Sequence, residues 1–225
     1  MPAVDWNLAS PLWFGHGSSA SLALERQLVG EPQRAALETF IQQRFFEAHG
    51  AEVRQFMPEL WGLRGPDGEL CAAAGVRLAA EQRLFLEQYL DAPIEQLVGE
   101  RSGLQPDRQQ IVEVGNLAAC SLGSARLSII TVTWLLAVRG LQWVTFTGNT
   151  ALVNSFRRLG LRPVTLCTAD PQRLGEQRHE WGRYYDTQPS VHIGDIRAGF
   201  DHLSQSGLFD RYGLPLTLEP HCHVA

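Results

Sequence analysis

Apolar positions recur along this chain with two periods, and the switches between them mark out its elements. From Arg34 to Ala48, residues Leu37, Phe40, Ile41, Phe45 and Ala48 share one face of a helix, with Pro32 just before its start. Gly123 to Arg139 carries the clearest helical stripe: Leu127, Ile130, Thr131, Trp134, Leu135 and Val138. Asn149 opens another helix, with Leu152, Phe156 and Leu159 on one face and Gly160 where the helix must stop. Ile196 to Leu203 is helix-like, and Leu84 to Val98 reads as helical or partly so, broken at Pro93. Glu59 to Arg64 and Glu69 to Arg77 read as two strands. The turn between them, Gly65-Pro66-Asp67-Gly68, combines preset φ, a local cap and tolerance of positive φ. Further strands are predicted at Gln110 to Ala119, Leu141 to Phe146, Arg162 to Thr168 and Ser190 to Ile193, with a weaker one at Ser18 to Leu28. This order predicts an α/β domain with a hairpin in its middle, not a doubly wound fold that alternates strand and helix throughout.

Residues 1–17, rich in Pro, Gly, Trp and Ser, read as an irregular N-terminal arm. Residues 18–225 read as a single domain with a C-terminal extension from about residue 170. A net charge of −5 and a pI near 5.8 argue against a nucleic-acid partner, which calls for a basic stripe. All 19 basic residues are Arg, which excludes a Schiff-base or P-loop lysine. Cys71, Cys120, Cys167 and Cys222 form no C-x-x-C pair, and no secretory pattern opens the chain, so cytoplasmic, reduced usage is expected. The longest apolar run, Leu127 to Val138, is shorter than the roughly 20 residues that span a bilayer, so no integral membrane contact is expected.

Three constellations carry candidate chemistry. The first is the strand–Asn–helix–Gly unit from Leu141 to Leu161. It resembles the last βα unit of the Gcn5-related N-acyltransferases, roughly N-x-x-A-x-x-x-Y-x-x-x-G-F, with Asn149, Phe156, Gly160 and Leu161 at matching spacing. Many of those enzymes carry a general-acid Tyr where this chain has Phe156, which has no proton to give. Upstream, Gly123-Ser124-Ala125 followed by Arg126 keeps the G-x-A of that family's pyrophosphate loop, with Cys120 where Arg or Gln is usual. A helix N-terminus suits an anion; a simple cap at Ser121 or Ser124 is the alternative reading.

The second constellation is Glu113-Val114-Gly115-Asn116-Leu117. Glu113 and Asn116 would face opposite sides of a regular strand, but a bulge that Gly115 permits would bring them together. With Arg77 upstream, this succession resembles the acyl-homoserine-lactone synthases: Arg77 matches the Arg of their first motif and Glu113 the Glu of their second. Asn116 replaces an Arg, which speaks against a homoserine lactone product. A buried Glu113 can act as general base; an ion pair with Arg77 is the plainer alternative. The third constellation is Trp181 to Asp186, where Tyr184 or Tyr185 could supply the acid missing at Phe156. Two weaker signals are set aside. His221-Cys222-His223 reads as a surface tail, not a metal site, and Cys120 as a buried inert thiol.

Phe56 to Leu60, Leu84 to Leu90, Ile111 to Ala118, Phe146 to Leu161 and Trp181 to Asp186 together resemble the thermostable hemolysin family over about residues 34–199. The resemblances imply the acyl-CoA N-acyltransferase fold, a mixed central sheet flanked by helices. They imply an acyl donor that is acyl-CoA or an acyl-phosphopantetheine on an acyl-carrier protein, and a small amine acceptor. Backbone groups of Val114 to Leu117 would bind the pantetheine amide, Gly123, Ser124, Ala125 and Arg126 its phosphate, and Asn149 and Phe156 its arm. Catalysis would fall to Glu113, Asn116, Arg77 and Tyr184. A direct membrane-lysing hemolysin and a non-catalytic thioester-binding protein are the alternatives.

Overall fold

Alternating side chains sort the apolar residues onto the two faces of a single sheet. The structure, a computed structural model, describes residues 10–16 and 22–216. Its first half comprises β1 (Leu12–Phe14), β2 (Leu22–Leu28), α1 (Arg34–His49), β3 (Glu59–Arg64), β4 (Leu70–Leu78), α2 (Ile94–Ser102) and β5 (Ile111–Ala119). Its second half comprises α3 (Leu122–Val138), β6 (Trp143–Gly148), α4 (Thr150–Arg158), β7 (Val164–Thr168), β8 (Ser190–Asp195), α5 (Ile196–Gln205) and α6 (Leu208–Tyr212). The eight strands run in the order β1-β2-β3-β4-β5-β6-β8-β7. All neighbours are antiparallel except β5 and β6, which are parallel and joined by the crossover helix α3.

Successive residues of β5 show the two layers. Ile111 packs with Leu84, Leu86, Tyr89 and Ile94 on one face; Val112 packs with Ile130, Trp134 and Leu135 of α3 on the other. The face of Ile111 is also that of α1, whose Leu37 and Ile41 meet Leu60, Ala73 and Ala118. α5 and α6 join the α3 layer through Leu203 and Phe209. One ion pair is buried there: Arg139, fully enclosed, donates to the buried Glu59 at 2.6 Å and stacks over Trp61. Removing either partner alone would strand the other.

Two expectations are refined. Part of the irregular arm is a strand: β1 pairs with β2, and Phe14 is buried in the core. Residues 18–21 of the predicted first strand, and His221 to His223, lie outside the described residues. The Leu84–Val98 segment is a 3-10 turn, Phe85–Tyr89, followed by α2, with extended backbone at Leu90 and Pro93 between them. The physical reason is that side chains capture its first N–H groups. Leu84 N donates to Glu87, and Phe85 N and Leu86 N donate to Glu113.

Candidate active site

The site begins with a defect in β5. Ala73 pairs with Ala118 but Gly75 pairs with Gly115, so Asn116 and Leu117 together oppose Ala74. This is a β-bulge, and Asn116 takes positive φ (49°) within it. The Asn116 amide holds the bulge against the chain before β3. Its Oδ1 accepts from Met57 N at 2.8 Å, and its Nδ2 donates to Gln55 O at 3.3 Å. The facing pair Gly75 and Gly115 makes room for Met57: a Cβ on Gly75 would lie 2.6 Å from that of Met57, and one on Gly115 would run into its methyl. The predicted bulge is present, one residue beyond Gly115. It turns Glu113 and Asn116 to the same face of the sheet.

The bulge also parts β5 from β6. Their ladder runs from Ile111–Trp143 to Val114–Phe146 and stops, while β5 continues to Ala119 and β6 to Gly148. A cavity of about 720 Å³ fills the gap and draws its walls from both faces. On the α3 face the walls are apolar, with Leu136, Val144, Phe156 and Leu161. Phe156 stacks on Phe146, with ring centroids 4.8 Å apart, and so forms wall. On the α1 face the walls carry Arg77, Glu113 and a set of aromatic rings.

Glu113 is 3% exposed. Burial pushes its carboxyl up to about 7, against the opposing pull of the Phe85 N–H, the Arg77 guanidinium and the Leu86 N–H. The N–H donors lie at 2.7 Å and 3.0 Å. Arg77 is the register partner of Glu113 across β4 and β5, yet its Nη1 stays 3.9 Å away. Its buried Nε has no hydrogen-bond partner, nor does the buried Thr147 Oγ1 on the opposite wall. The plainer ion-pair reading of Glu113 is thus only half realised. The cavity holds a carboxyl poised near neutrality and donors with spare capacity.

Tyr184 closes this half. Its hydroxyl donates to Thr147 O on β6 at 3.4 Å, and its ring packs on Trp181 and edge-on to His49. Burial raises its hydroxyl pKa, so at neutral pH it keeps a proton to give. Tyr185 bonds the Tyr89 hydroxyl at 2.5 Å, and burial pushes its own pKa up to about 12. Burial and the nearby Arg183 lower the pKa of His49.

Nine of the twelve expected site residues line this one cavity: Arg77, Glu113, Val114, Asn116, Leu117, Ala125, Asn149, Phe156 and Tyr184. Asn149 also caps α4, its Oδ1 accepting from Leu152 N. Gly123, Ser124 and Arg126 lie outside the lining. Ser121 and Ser124 form a reciprocal capping box, in which Ser121 Oγ accepts from Ser124 N and Ser124 Oγ from Ser121 N. The cap reading of this segment is therefore realised, and Ser124 N–H is already spent. Cys120, expected buried, is exposed and does not line the cavity. Sequence reasoning missed Thr147, Phe85, Tyr89 and His49. Thr147, Tyr89 and His49 carry polar chemistry, and no local spacing ties them to Glu113. Among the described residues there is no cluster of side chains that could hold a metal, and no helix is long and apolar enough to cross a membrane.

The family model described as thermostable hemolysin matches residues 28–200. The chain belongs to the thermostable hemolysin family. No curated protein sequence matches it. Solved structures similar to this chain include FeeM, an N-acyl amino acid synthase from uncultured soil microbes, with 14% identity and a TM-score of 0.53 over 81% of this chain and 96% of that one. The AHL synthase LasI aligns with 11% identity and a TM-score of 0.52, over 80% and 91%. MesI, a CoA-dependent acyl-homoserine lactone synthase, aligns with 13% identity and a TM-score of 0.51, over 81% and 94%. At such identities the likeness establishes the fold: this chain has the mixed sheet and flanking helices of the N-acyltransferases.

Proposed function

We propose that this protein transfers an acyl group from a thioester, on coenzyme A or an acyl-carrier protein, to a small amine. The observation that carries the reading is Glu113: a buried carboxyl with pKa about 7, facing a cavity opened by the β5 bulge. Beyond Val114 the backbone of β5 no longer pairs with β6, so Val114 to Leu117 offer free edge groups to a pantetheine amide. The apolar walls around Val144 and Phe156 suit an acyl chain. Ionised Glu113 takes a proton from the acceptor amine as its nitrogen attacks the thioester carbonyl. The C–S bond then breaks, and the Tyr184 hydroxyl gives its proton to the leaving thiolate. Arg77, with its unpartnered Nε, holds an anionic group of the acceptor. Asn116 acts indirectly, by fixing the bulge.

The test is incubation of purified protein with acyl-CoA or acyl-pantetheine and a panel of amines and amino acids, reading free thiol and the amide product by mass. Amide formation supports the reading; thioester left intact with every acceptor sinks it. Phe156, in place of a Tyr, favours a second reading, a non-catalytic thioester binder. Tight thioester binding without turnover would select that one. The family's description raises direct lysis, which dye release from vesicles by protein free of small molecules would reveal.

A further inference from the structure

The two halves of the cavity differ in the make-up of their walls. The α3 half is mainly aliphatic, with Ile129, Val132, Leu136, Val144 and Leu161. The α1 half is aromatic, and its rings form one connected set. Phe85, whose N–H donates to Glu113, has its ring centroid 5.8 Å from that of Trp181. Trp181 in turn lies 5.4 Å from Tyr184 and 6.3 Å from both Phe45 and Tyr185. His49 meets Tyr184 edge-on at 5.2 Å. All six rings line the cavity, and all are half-buried. Trp181 stands edge-on to Phe45 and Tyr185, and Tyr184 to Tyr185, the geometry in which one more ring is well received.

Charge on this half is sparse. The lining carries two carboxylates, Glu113 and Asp195, and Asp195 caps α5 by accepting from Ala198 N. Arg44 is paired with Glu47. Burial and the nearby Arg183 lower the pKa of His49, so it adds no cation at neutral pH. What remains is Glu113 beside Arg77. They face each other across β4 and β5, with Arg77 Nη1 3.9 Å from Glu113 and Arg77 Nε without a partner.

An acceptor that fits here satisfies both members of that pair. Glu113 takes the amine. A guanidinium with a spare donor calls for a carboxylate. The two side chains are neighbours, so the acceptor's amine and carboxylate are neighbours too, as on a single α-carbon. A polyamine calls for several carboxylates, and the α1 half offers it Glu113. A simple amine would leave the Arg77 Nε as unpaired as it is now. The side chain of such an amino acid starts one bond from the polar pair, so it falls on the α1 half, among the rings. The aliphatic half is left for the acyl chain. We propose that the acceptor is an aromatic α-amino acid, with its amine on Glu113, its carboxylate on Arg77 and its ring packed against Phe85, Trp181 and Tyr184. This deepens, and rests on, the acyl-transfer reading above. Trp181, which touches four of the other five rings, is the residue that sets the preference.

The experiment reads binding and turnover separately on the full chain. Calorimetric titration with L-phenylalanine, L-leucine, 2-phenylethylamine and spermidine, with and without coenzyme A, reads binding. Amide formation from acyl-CoA and acyl-pantetheine with the same compounds reads kcat/KM. L-Phenylalanine should lead in both. L-Leucine, which lacks the ring, should trail it by at least about tenfold. 2-Phenylethylamine, which lacks the carboxylate, should trail it by at least about a hundredfold. Trp181→Leu should bring the ratio of phenylalanine to leucine close to one. Arg77→Gln should bring phenylalanine down to the level of 2-phenylethylamine. The wild-type series decides the matter even if a variant fails to fold. L-Leucine or 2-phenylethylamine matching L-phenylalanine overturns the proposal. So does a lead for spermidine, the absence of binding by either amino acid, or preferences that both variants leave unchanged. Amide formation without the aromatic preference would keep the transfer reading and remove this one. Selective, Arg77-dependent binding of L-phenylalanine without amide formation would keep the amino-acid site and remove the transfer chemistry.

Discussion

Two buried carboxylates flank the same turn of chain, and their difference separates structure from chemistry. Glu87 and Glu113 divide the N–H groups of Leu84, Phe85 and Leu86 between them. Glu87 also accepts from Ile94 N and from Arg108, whose Nη1 lies 2.8 Å away and is shared with Glu95. Burial pushes the Glu87 carboxyl up, but Arg108 and the backbone donors outweigh it, and the net shift is downward. Glu113 has backbone donors too, but its arginine stays at 3.9 Å and burial wins. One carboxylate is a satisfied strut between α2 and its neighbours. The other is kept near neutrality, facing a cavity, by leaving its cation at arm's length.

Substitution should break that contrast in different ways. Glu113→Gln should lower turnover by roughly 10² to 10⁴, the usual worth of a general base, and leave the far-UV spectrum intact. Glu87→Ala should do the reverse, costing about 2 to 3 kcal/mol in denaturant unfolding because Arg108 loses its best-buried partner. Its thioester turnover, measured well below the unfolding midpoint, should stay within a few-fold of wild type. Tyr184→Phe should cost about ten- to a hundredfold in turnover if its hydroxyl protonates the thiolate. If the ring only packs on Trp181, the rate should hold.

Acidity sharpens the same comparison with the smallest effect. The folded pKa of Glu113 lies above its ordinary 4.5. Its contribution to stability is therefore full below about 4.5 and lost as pH rises through about 7. Glu87 has the opposite sign: its contribution is present above about 4.5 and lost as pH falls through its depressed folded value. Thermal midpoints at about pH 5 and about pH 8 check this. Relative to wild type, Glu113→Gln should gain more at the higher pH. A constant offset between the two proteins would contradict the assignment.

What could be read in the chain was local. The Gly65–Gly68 turn, the α3 stripe, the Asn149 cap and a bulge near Gly115 all depend on neighbours within a few residues. The structure repeats them with small shifts of boundary. What escaped depended on distant partners. β1 exists because Leu12 to Phe14 find β2, which no spacing within the arm announces. The Leu84 segment reads as helix until carboxylates from Glu87 and Glu113 take its N–H groups. The site was legible in its acid and its strand, Glu113 and Val114 to Leu117. Tyr184 was singled out as well, but not the wall residues it and Tyr185 meet: Thr147 lies 37 residues from Tyr184, and Tyr89 lies 96 from Tyr185. The Ser121–Ser124 segment shows the limit of motif spacing: the same residues fit an anion loop and a closed cap, and hydrogen bonds decide for the cap.

The most direct test of the central claim is the pH dependence of kcat/KM for thioester aminolysis, wild type against Glu113→Gln, over a panel of amine acceptors. The wild-type rate should rise about tenfold per pH unit below about 7 and level off above it, while the variant stays low and lacks that inflection. Equal rates for the two proteins at every pH would contradict the account, whatever else the cavity binds.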